Sequence, residues 1–152
     1  MSAWSEVERD APEFARRVQK IFDGRRHKVI ATLRRDGSPR ISGIELQFVD
    51  GEATLGMMPG SLKLADVKRD PRVAIHGASD DPPPGAPHQW QGDVKVSGRL
   101  VSTGPLSGVG PPGEGFRLDI GEVVYTTVET NPDLLVIAAW HPGRGVQTSK
   151  RE

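Results

Sequence analysis

The 152-residue chain has no cysteine, which excludes disulfides, thiolate catalysis and cysteine-ligated metal sites. Its 20 basic and 20 acidic residues balance, so no excess charge favours nucleic acid or an anionic membrane as a partner. No apolar run approaches the roughly 20 residues that cross a bilayer, and the start of the chain quickly becomes charged, unlike a signal peptide. These absences predict a cytoplasmic protein that binds neither nucleic acid nor membrane.

Patterns that would reveal a metal site or a catalytic nucleophile are also missing. No two histidines have the spacing of a metal-ligand pair such as His-x-x-x-His. No Gly-x-Ser-x-Gly motif supports a hydrolase triad. We therefore predict no metal site and no catalytic side chain. The four scattered histidines are His27, His76, His88 and His141.

Glycine and proline, by contrast, are abundant, with 18 and 13 residues, and they concentrate in two segments. Ser79–Gln89 holds several prolines, which fix φ and lack a backbone donor. Gly104–Gly115 mixes glycine with proline and is typical of a surface loop. We expect both segments to be flexible or to lie at the mouth of a binding cleft.

The remaining sequence predicts a mainly β protein with flanking helices, in one domain over residues 1–152. Apolar residues at helical spacing predict one N-terminal helix over residues 5–22. Short strands with tight turns predict a six- to seven-stranded antiparallel barrel over residues 28–141, closed or partly closed, then a polar tail over 142–152. The predicted strands are Lys28–Arg34, Pro39–Val49, Glu52–Met58, Arg72–Ala78, Trp90–Thr103, Leu118–Thr130 and Leu134–Trp140.

The segment between the third and fourth strands is the most informative part of the chain. Pro59-Gly60 turns the chain, Ser61 caps a short inserted helix over Leu62–Arg69, and Asp70-Pro71 stops it. A helix start offers free N–H groups and the positive end of the helix dipole, which suit a phosphate. Lys63 is unfavourable to the dipole in the first turn unless an anion binds there. Alternatively, Ser61 is only a cap and Lys63 only a solvated lysine.

Other candidates lie on the second strand and at strand ends. Gly43, beside Ser42, weakens a strand interior unless another group approaches closely, and that group is either a ligand or a barrel bulge. Arg40 is either a fork for phosphate or a solvated arginine after a turn. Trp90 and Trp140 either stack near a ligand or fill an interface between subunits, which we favour.

Four short motifs, in this order and spacing, resemble the pyridoxamine 5′-phosphate oxidase-like family of flavin-binding split β-barrels. The resemblance is good from about Phe14 to Val101 and continues weakly to Trp140–Arg144. The motifs are Ala-Thr-Leu-Arg-Arg-Asp-Gly-Ser-Pro-Arg (31–40), Asp-Gly-Glu-Ala-Thr-Leu (50–55), Gly-Ser-Leu-Lys (60–63) and Arg-Asp-Pro-Arg-Val-Ala (69–74).

The resemblance implies a homodimer with two flavin-type cofactors in clefts between the subunits. Members use FMN, many actinobacterial members use a 5-deazaflavin, some bind haem and some have no known cofactor. The implied activity is that of an oxidoreductase, with hydride or electron transfer to an unknown small molecule. The alternative is a binding protein that carries or senses a flavin, or has lost its cofactor. The implied cofactor-binding residues are Arg40, Ile41, Ser42, Gly43, Met57, Met58, Pro59, Ser61, Leu62 and Lys63.

The chain departs from the oxidase itself in the fifth strand. The oxidase has Arg-Gln-Val-Arg where this chain has Gly92-Asp93-Val94-Lys95, so Asp93 replaces the glutamine. An acid near a flavin ring is unhelpful to the anionic reduced ring. We therefore do not expect pyridoxamine phosphate oxidation itself.

Overall fold

The computed structural model describes residues 2–108, 112–130 and 133–152. None of the helices within these ranges has the length and apolar character needed to span a membrane. The elements in chain order are α1 (Trp4–Asp10), α2 (Pro12–Asp23), β1 (His27–Leu33), β2 (Pro39–Val49), β3 (Glu52–Met57), α3 (Leu62–Arg69), β4 (Arg72–Ala78), a 3-10 turn (Pro87–Gln89), β5 (Asp93–Pro105), β6 (Glu114–Glu129), β7 (Leu134–His141) and β8 (Gly145–Arg151).

Six of the strands close into an antiparallel barrel, in the order β3-β2-β1-β4-β5-β6, because β3 also pairs with β6. The 16 residues of β6 pair with β5 along one edge and with two successive strands along the other. Glu114–Arg117 pairs with β3, whereas Val123–Glu129 pairs with β7. The second half of β6 thus leaves the barrel, and β7 and β8 continue the sheet outside it. The predicted fold class, a mainly β antiparallel barrel with an inserted helix, is confirmed.

The N-terminal helix is broken in two, contrary to the single helix predicted over residues 5–22. Ala11 has φ −150° and ψ 74°, outside the helical region, and α2 restarts at Pro12. Proline lacks the N–H that a continuous helix needs, and it drives the preceding residue out of the helical conformation. The apolar spacing survives the break, since Val7, Val18 and Phe22 are all buried.

Two strand boundaries and one terminal strand also differ from the prediction. The segment Gly104–Gly115 is shorter as a loop than expected, because β5 runs to Pro105 and β6 already starts at Glu114; residues 109–111 lie outside the described part. A bulge between Ser102 and Gly104, with Gly104 at φ 99°, shifts the register of this ladder. The predicted polar tail forms β8, which pairs with β7 through backbone bonds that polar side chains do not prevent.

The core lies inside the barrel and beneath the two N-terminal helices. On β2, Ile44 and Leu46 are buried while Gly43 and Glu45 face outward, as the alternation predicts. Trp140 was expected at a subunit interface, and this is wrong. It is fully buried within its own chain, and its indole Nε1 donates to Asp10 Oδ2 at 3.0 Å.

Candidate binding sites: a glycine-lined cleft and an arginine groove

The larger cavity is a cleft of about 670 Å³ on the outer surface of the barrel. We call it the glycine cleft, because five glycines line it together with apolar side chains. Its volume lies within the range of small-molecule sites, about 300–1,000 Å³. It is lined by His27, Gly43, Ile44, Glu45, Gln47, Thr54, Leu55, Gly56, Met57, Met58, Pro59, Lys63, Thr103, Leu106, Ser107, Gly108, Pro112, Gly113, Gly115 and Phe116.

Half of the ten candidate residues meet in this cleft. Gly43 comes from β2, Met57, Met58 and Pro59 from the end of β3 and the turn after it, and Lys63 from α3. These elements meet because β2 pairs with β3 only from Leu46 onward. The earlier half of β2 therefore keeps a free edge, to which the first turn of α3 comes close.

Lys63 makes the contact between α3 and β2. Its ammonium Nζ donates to the backbone oxygen of Gly43 at 2.9 Å. The cation thus has an acceptor on one side, and its remaining N–H groups can serve a further anion, because an ammonium carries three donors. A Cβ placed on Gly43 would meet no atom within 4 Å, so the strand backbone is open at this point.

The start of α3 has the predicted geometry. Ser61 is in an extended conformation, and its hydroxyl oxygen accepts from the backbone N–H of Leu64 at 3.3 Å. Ala65 donates to the carbonyl of Ser61 at 3.3 Å. The N–H groups of Leu62 and Lys63 precede these bonds and have no acceptor inside the helix. Ser61 is therefore an N-cap, and the unpaired donors lie next to it.

The β5–β6 hairpin forms the opposite wall of the glycine cleft, as expected of one of the two loops. Leu106 lies against three glycines: a Cβ on Gly56 would sit 2.7 Å from its Cδ1, one on Gly115 3.0 Å from its Cδ2, and one on Gly113 3.4 Å from its Cδ1. The other predicted loop, Ser79–Gln89, lines neither cavity. Sequence reasoning gave no role to Leu106, and only the glycine content of its surroundings pointed to close packing.

Two titratable residues that sequence reasoning did not select also line the cleft. His27 and Glu45 face each other across the β1–β2 ladder, with 3.7 Å between Nε2 and Oε1. Both side chains are largely exposed. With Lys63 they give the cleft a balanced formal charge when the histidine is neutral. The sequence did not mark His27 and Glu45 as site residues, because each is an ordinary outward-facing strand residue.

Arg40 and Leu62 lie elsewhere, in a second cavity of about 460 Å³ that we call the arginine groove. The Nε of Arg40 donates to Asp66 Oδ2 at 2.8 Å. Burial raises the pKa of Asp66, but hydrogen bonds from Arg40, Thr32 and Arg69 outweigh burial and hold that pKa below its usual value. The groove is lined by Arg34, Arg35, Asp36, Arg40, Leu62, Ala65, Asp66 and Arg69.

Three further candidates line neither cavity: Ile41, Ser42 and Ser61. Ile41 is the most exposed of them, with 73% of its surface accessible. His76, one of the four histidines of the chain, lies on the outer face of β4 and contacts Asp93 of β5 through its Nε2. Asp93, which replaces the glutamine of the oxidase, therefore already has a partner within its own chain.

Comparisons with known proteins find no matching family model and no matching curated protein. Solved structures do match. An FMN-binding, pyridoxamine 5′-phosphate oxidase-related protein from Nostoc punctiforme has a TM-score of 0.64 at 10% identity, over 93% of this chain and 96% of that one. PhzG from Burkholderia lata, in complex with tetrahydrophenazine-1-carboxylic acid, has a TM-score of 0.65 at 14% identity, over 95% and 96%.

An F420 reductase matches over a smaller part of this chain, with a TM-score of 0.52 at 15% identity, covering 67% of this chain and 91% of that one. Similarity at such low identity concerns the fold, and it agrees with the motif order found in the sequence. The chain has the split β-barrel fold of the pyridoxamine 5′-phosphate oxidase-related, FMN-binding proteins.

Proposed function

We propose that this protein binds FMN or a 5-deazaflavin in the glycine cleft and acts as an oxidoreductase on a small molecule. The observation that carries the proposal is the meeting of Gly43, Met58 and Lys63 in one cleft of suitable volume. These residues come from three separate elements of the fold: strand β2, the turn after β3 and helix α3. The flavin-binding and F420-reductase neighbours of the same fold support the choice of cofactor class.

The residues present fit a flat cofactor with a phosphate. Gly43 leaves the backbone of β2 open, so a planar ring can lie against it without meeting a side chain. Lys63 and the free N–H groups at the start of α3 supply a cation and donors for the phosphate. Apolar contact comes from Met58, whose flexible thioether adapts to a ring. The bound cofactor would supply the hydride chemistry, while the protein supplies position and electrostatics.

The same proposal includes a homodimer with the cofactor at the subunit interface. In one chain, all of Leu134–Ala139 on β7 is half-buried, although this segment is apolar on both faces. On the barrel surface, Val29 and Ile41 are 44% and 73% exposed. A second copy would cover apolar surface of this kind, which monomeric proteins rarely leave open in large patches.

A second candidate is a binding protein without redox activity. It is favoured by the partners that the two best phosphate ligands already have: Lys63 bonds to Gly43, and Arg40 pairs with Asp66. A protein that had lost its cofactor would keep such internal bonds.

The test is a titration of the purified dialysed protein with FMN and with a 5-deazaflavin, followed by absorbance and fluorescence. Binding of either compound at micromolar concentration, together with reduction of the bound cofactor by a nicotinamide or another donor, supports the oxidoreductase. Binding without any reduction supports the flavin carrier. If neither compound binds, the cofactor assignment is wrong and the cofactor-free binding protein takes its place.

A further inference from the structure

Leu106 of the β5–β6 hairpin covers a strip of backbone that carries no side chains, and the proposed function gives Leu106 no role. Gly56 and Gly115 face each other across the β3–β6 ladder, and Gly113 lies two residues before Gly115 in the chain. We call these three glycines the glycine floor. All three line the glycine cleft, and so does Leu106.

The glycines of the floor make room for Leu106. None of the three has a positive φ, so the backbone conformation alone does not require glycine at these positions. A Cβ on Gly56 would lie 2.7 Å from Leu106 Cδ1, and real Cβ contacts are almost never shorter than 3.0 Å. A methyl group of Leu106 therefore occupies the space that an alanine side chain at position 56 would need.

Close packing, more than charge, fixes the position of this wall of the cleft. The N–H of Leu106 donates to the carbonyl of Gly113 at 2.9 Å. A Cβ on Gly113 would lie 2.3 Å from the carbonyl oxygen of Met57, so the hairpin backbone lies directly against the end of β3. The ion pair between Lys68 and Glu114, at 3.8 Å, is partly exposed, and pairs of this kind contribute little.

We propose that Leu106 is a specificity-determining residue of the glycine cleft. Packed on the glycine floor, it fixes the wall opposite Lys63 and offers an apolar surface to the flat part of a bound ligand. Leu106 is 43% exposed, so its packing on the floor leaves part of the side chain open to the cleft. Because a flavin is the ligand of the proposed function, the assignment of Leu106 to its ring depends on that function. Lys63 then contacts the phosphate and Leu106 the ring.

The experiment measures the dissociation constants of FMN and riboflavin by fluorescence on the parent and on variants of the full chain. Leu106→Ala removes the apolar surface, and Gly56→Ala displaces the leucine from the floor. The double variant tests whether the two changes act through the same contact. Leu106→Met is the conservative variant. The matched control is Gly108→Ala on the same hairpin, where a Cβ would meet no atom within 4 Å.

We expect Leu106→Ala and Gly56→Ala each to weaken FMN and riboflavin alike by about tenfold, because the lost contact is apolar and lies at the ring. The double variant should bind no more weakly than Leu106→Ala, since the new methyl group fills the space that the leucine leaves. Leu106→Met and Gly108→Ala should stay within about threefold of the parent. Multiplying losses in the double variant, an equal loss in Gly108→Ala, or a loss for FMN and not for riboflavin would each overturn the assignment of Leu106.

A second measurement separates this assignment from the proposed function. Amide exchange of Leu106 is followed without any flavin in the parent, Gly56→Ala and Gly108→Ala. Displacement of the leucine should weaken the bond from its N–H to Gly113, so exchange should be faster in Gly56→Ala than in Gly108→Ala. If the parent binds neither flavin, the proposed function is wrong and the role of Leu106 at the ring falls with it. Equal exchange in the two variants would show that Leu106 does not fix the wall.

Discussion

The glycine cleft and the arginine groove are built differently. The cleft is a largely exposed surface, whereas the groove rests on a buried network of hydrogen bonds. The glycine cleft is lined mainly by backbone, apolar side chains and one cation, and its polar residues are largely exposed. The arginine groove is built on Asp66, which is buried and makes three side-chain hydrogen bonds. A substitution in the cleft should therefore act on binding alone, whereas one at the base of the groove should act on folding.

Asp66→Asn is expected to have the largest effect. It leaves Arg40 and Arg69 without their buried carboxylate, and breaking a partly buried pair of this kind costs about 3–5 kcal/mol of the free energy of unfolding. Denaturant unfolding of the variant and of Asp36→Asn, an exposed turn aspartate, measures it. If Asp66→Asn lowers the free energy of unfolding no more than Asp36→Asn does, the groove is not more important for stability than an exposed turn.

The effect of Asp66→Asn on the free energy of unfolding should depend on pH. The pKa of Asp66 is lowered in the folded state, so its carboxylate contributes stability that is full above its unfolded pKa of about 4. That contribution is lost as the pH falls through the folded-state pKa. The stability difference between the parent and Asp66→Asn should be constant near neutral pH and shrink in acid. A difference that grows below about pH 4 would contradict the direction of the shift.

Lys63→Ala tests the cleft. Losing a charge-assisted contact should weaken FMN binding by about 1.5–3 kcal/mol, roughly ten- to a hundredfold, while the free energy of unfolding changes little. Riboflavin lacks the phosphate and should bind the variant as it binds the parent. The control is Lys20→Ala, an exposed helix lysine of α2. Unchanged FMN affinity in Lys63→Ala would show that the phosphate does not lie at the start of α3.

A second copy of the chain should complete the cleft and not the groove. Sedimentation of the parent at micromolar concentration should show a dimer. Ile41→Glu should weaken the dimer by at least about tenfold, or about 1.4 kcal/mol, because it buries a charge at the interface. The control, Val49→Glu, changes a second exposed apolar residue at the far end of β2. If the parent is a stable monomer, or if both variants weaken the dimer equally, the dimer interface does not lie at the cleft.

Ser61→Ala is expected to have the smallest effect. Loss of the N-cap bond to Leu64 should cost about 1 kcal/mol of the free energy of unfolding, and Ser61→Gly only a few tenths. FMN affinity should fall less than in Lys63→Ala. If Ser61→Ala instead leaves stability intact and weakens FMN binding tenfold, the hydroxyl is a cofactor ligand and not a cap.

Local rules written in the sequence determined most of the fold. The alternation on β2, the two tight turns and the capped helix Leu62–Arg69 all formed as predicted, because each depends on neighbours in the chain. The break at Ala11-Pro12 also follows from a local rule, the effect of proline on a helix. It was missed because the apolar spacing continues across it. Strand β8 was missed because its polar side chains hide a pairing that only backbone groups make.

The placement of the candidate residues depended on tertiary structure. The sequence determined that Lys63 lies in the first turn of a helix and that Gly43 lies within a strand, and the two residues meet in the cleft. It could not determine that Arg40, three residues from Gly43, pairs with Asp66 in a different cavity. Nor could it determine that Trp140 is buried in its own chain. Such contacts join elements far apart in the chain, and the closure of β3 on β6 decides which of them come together.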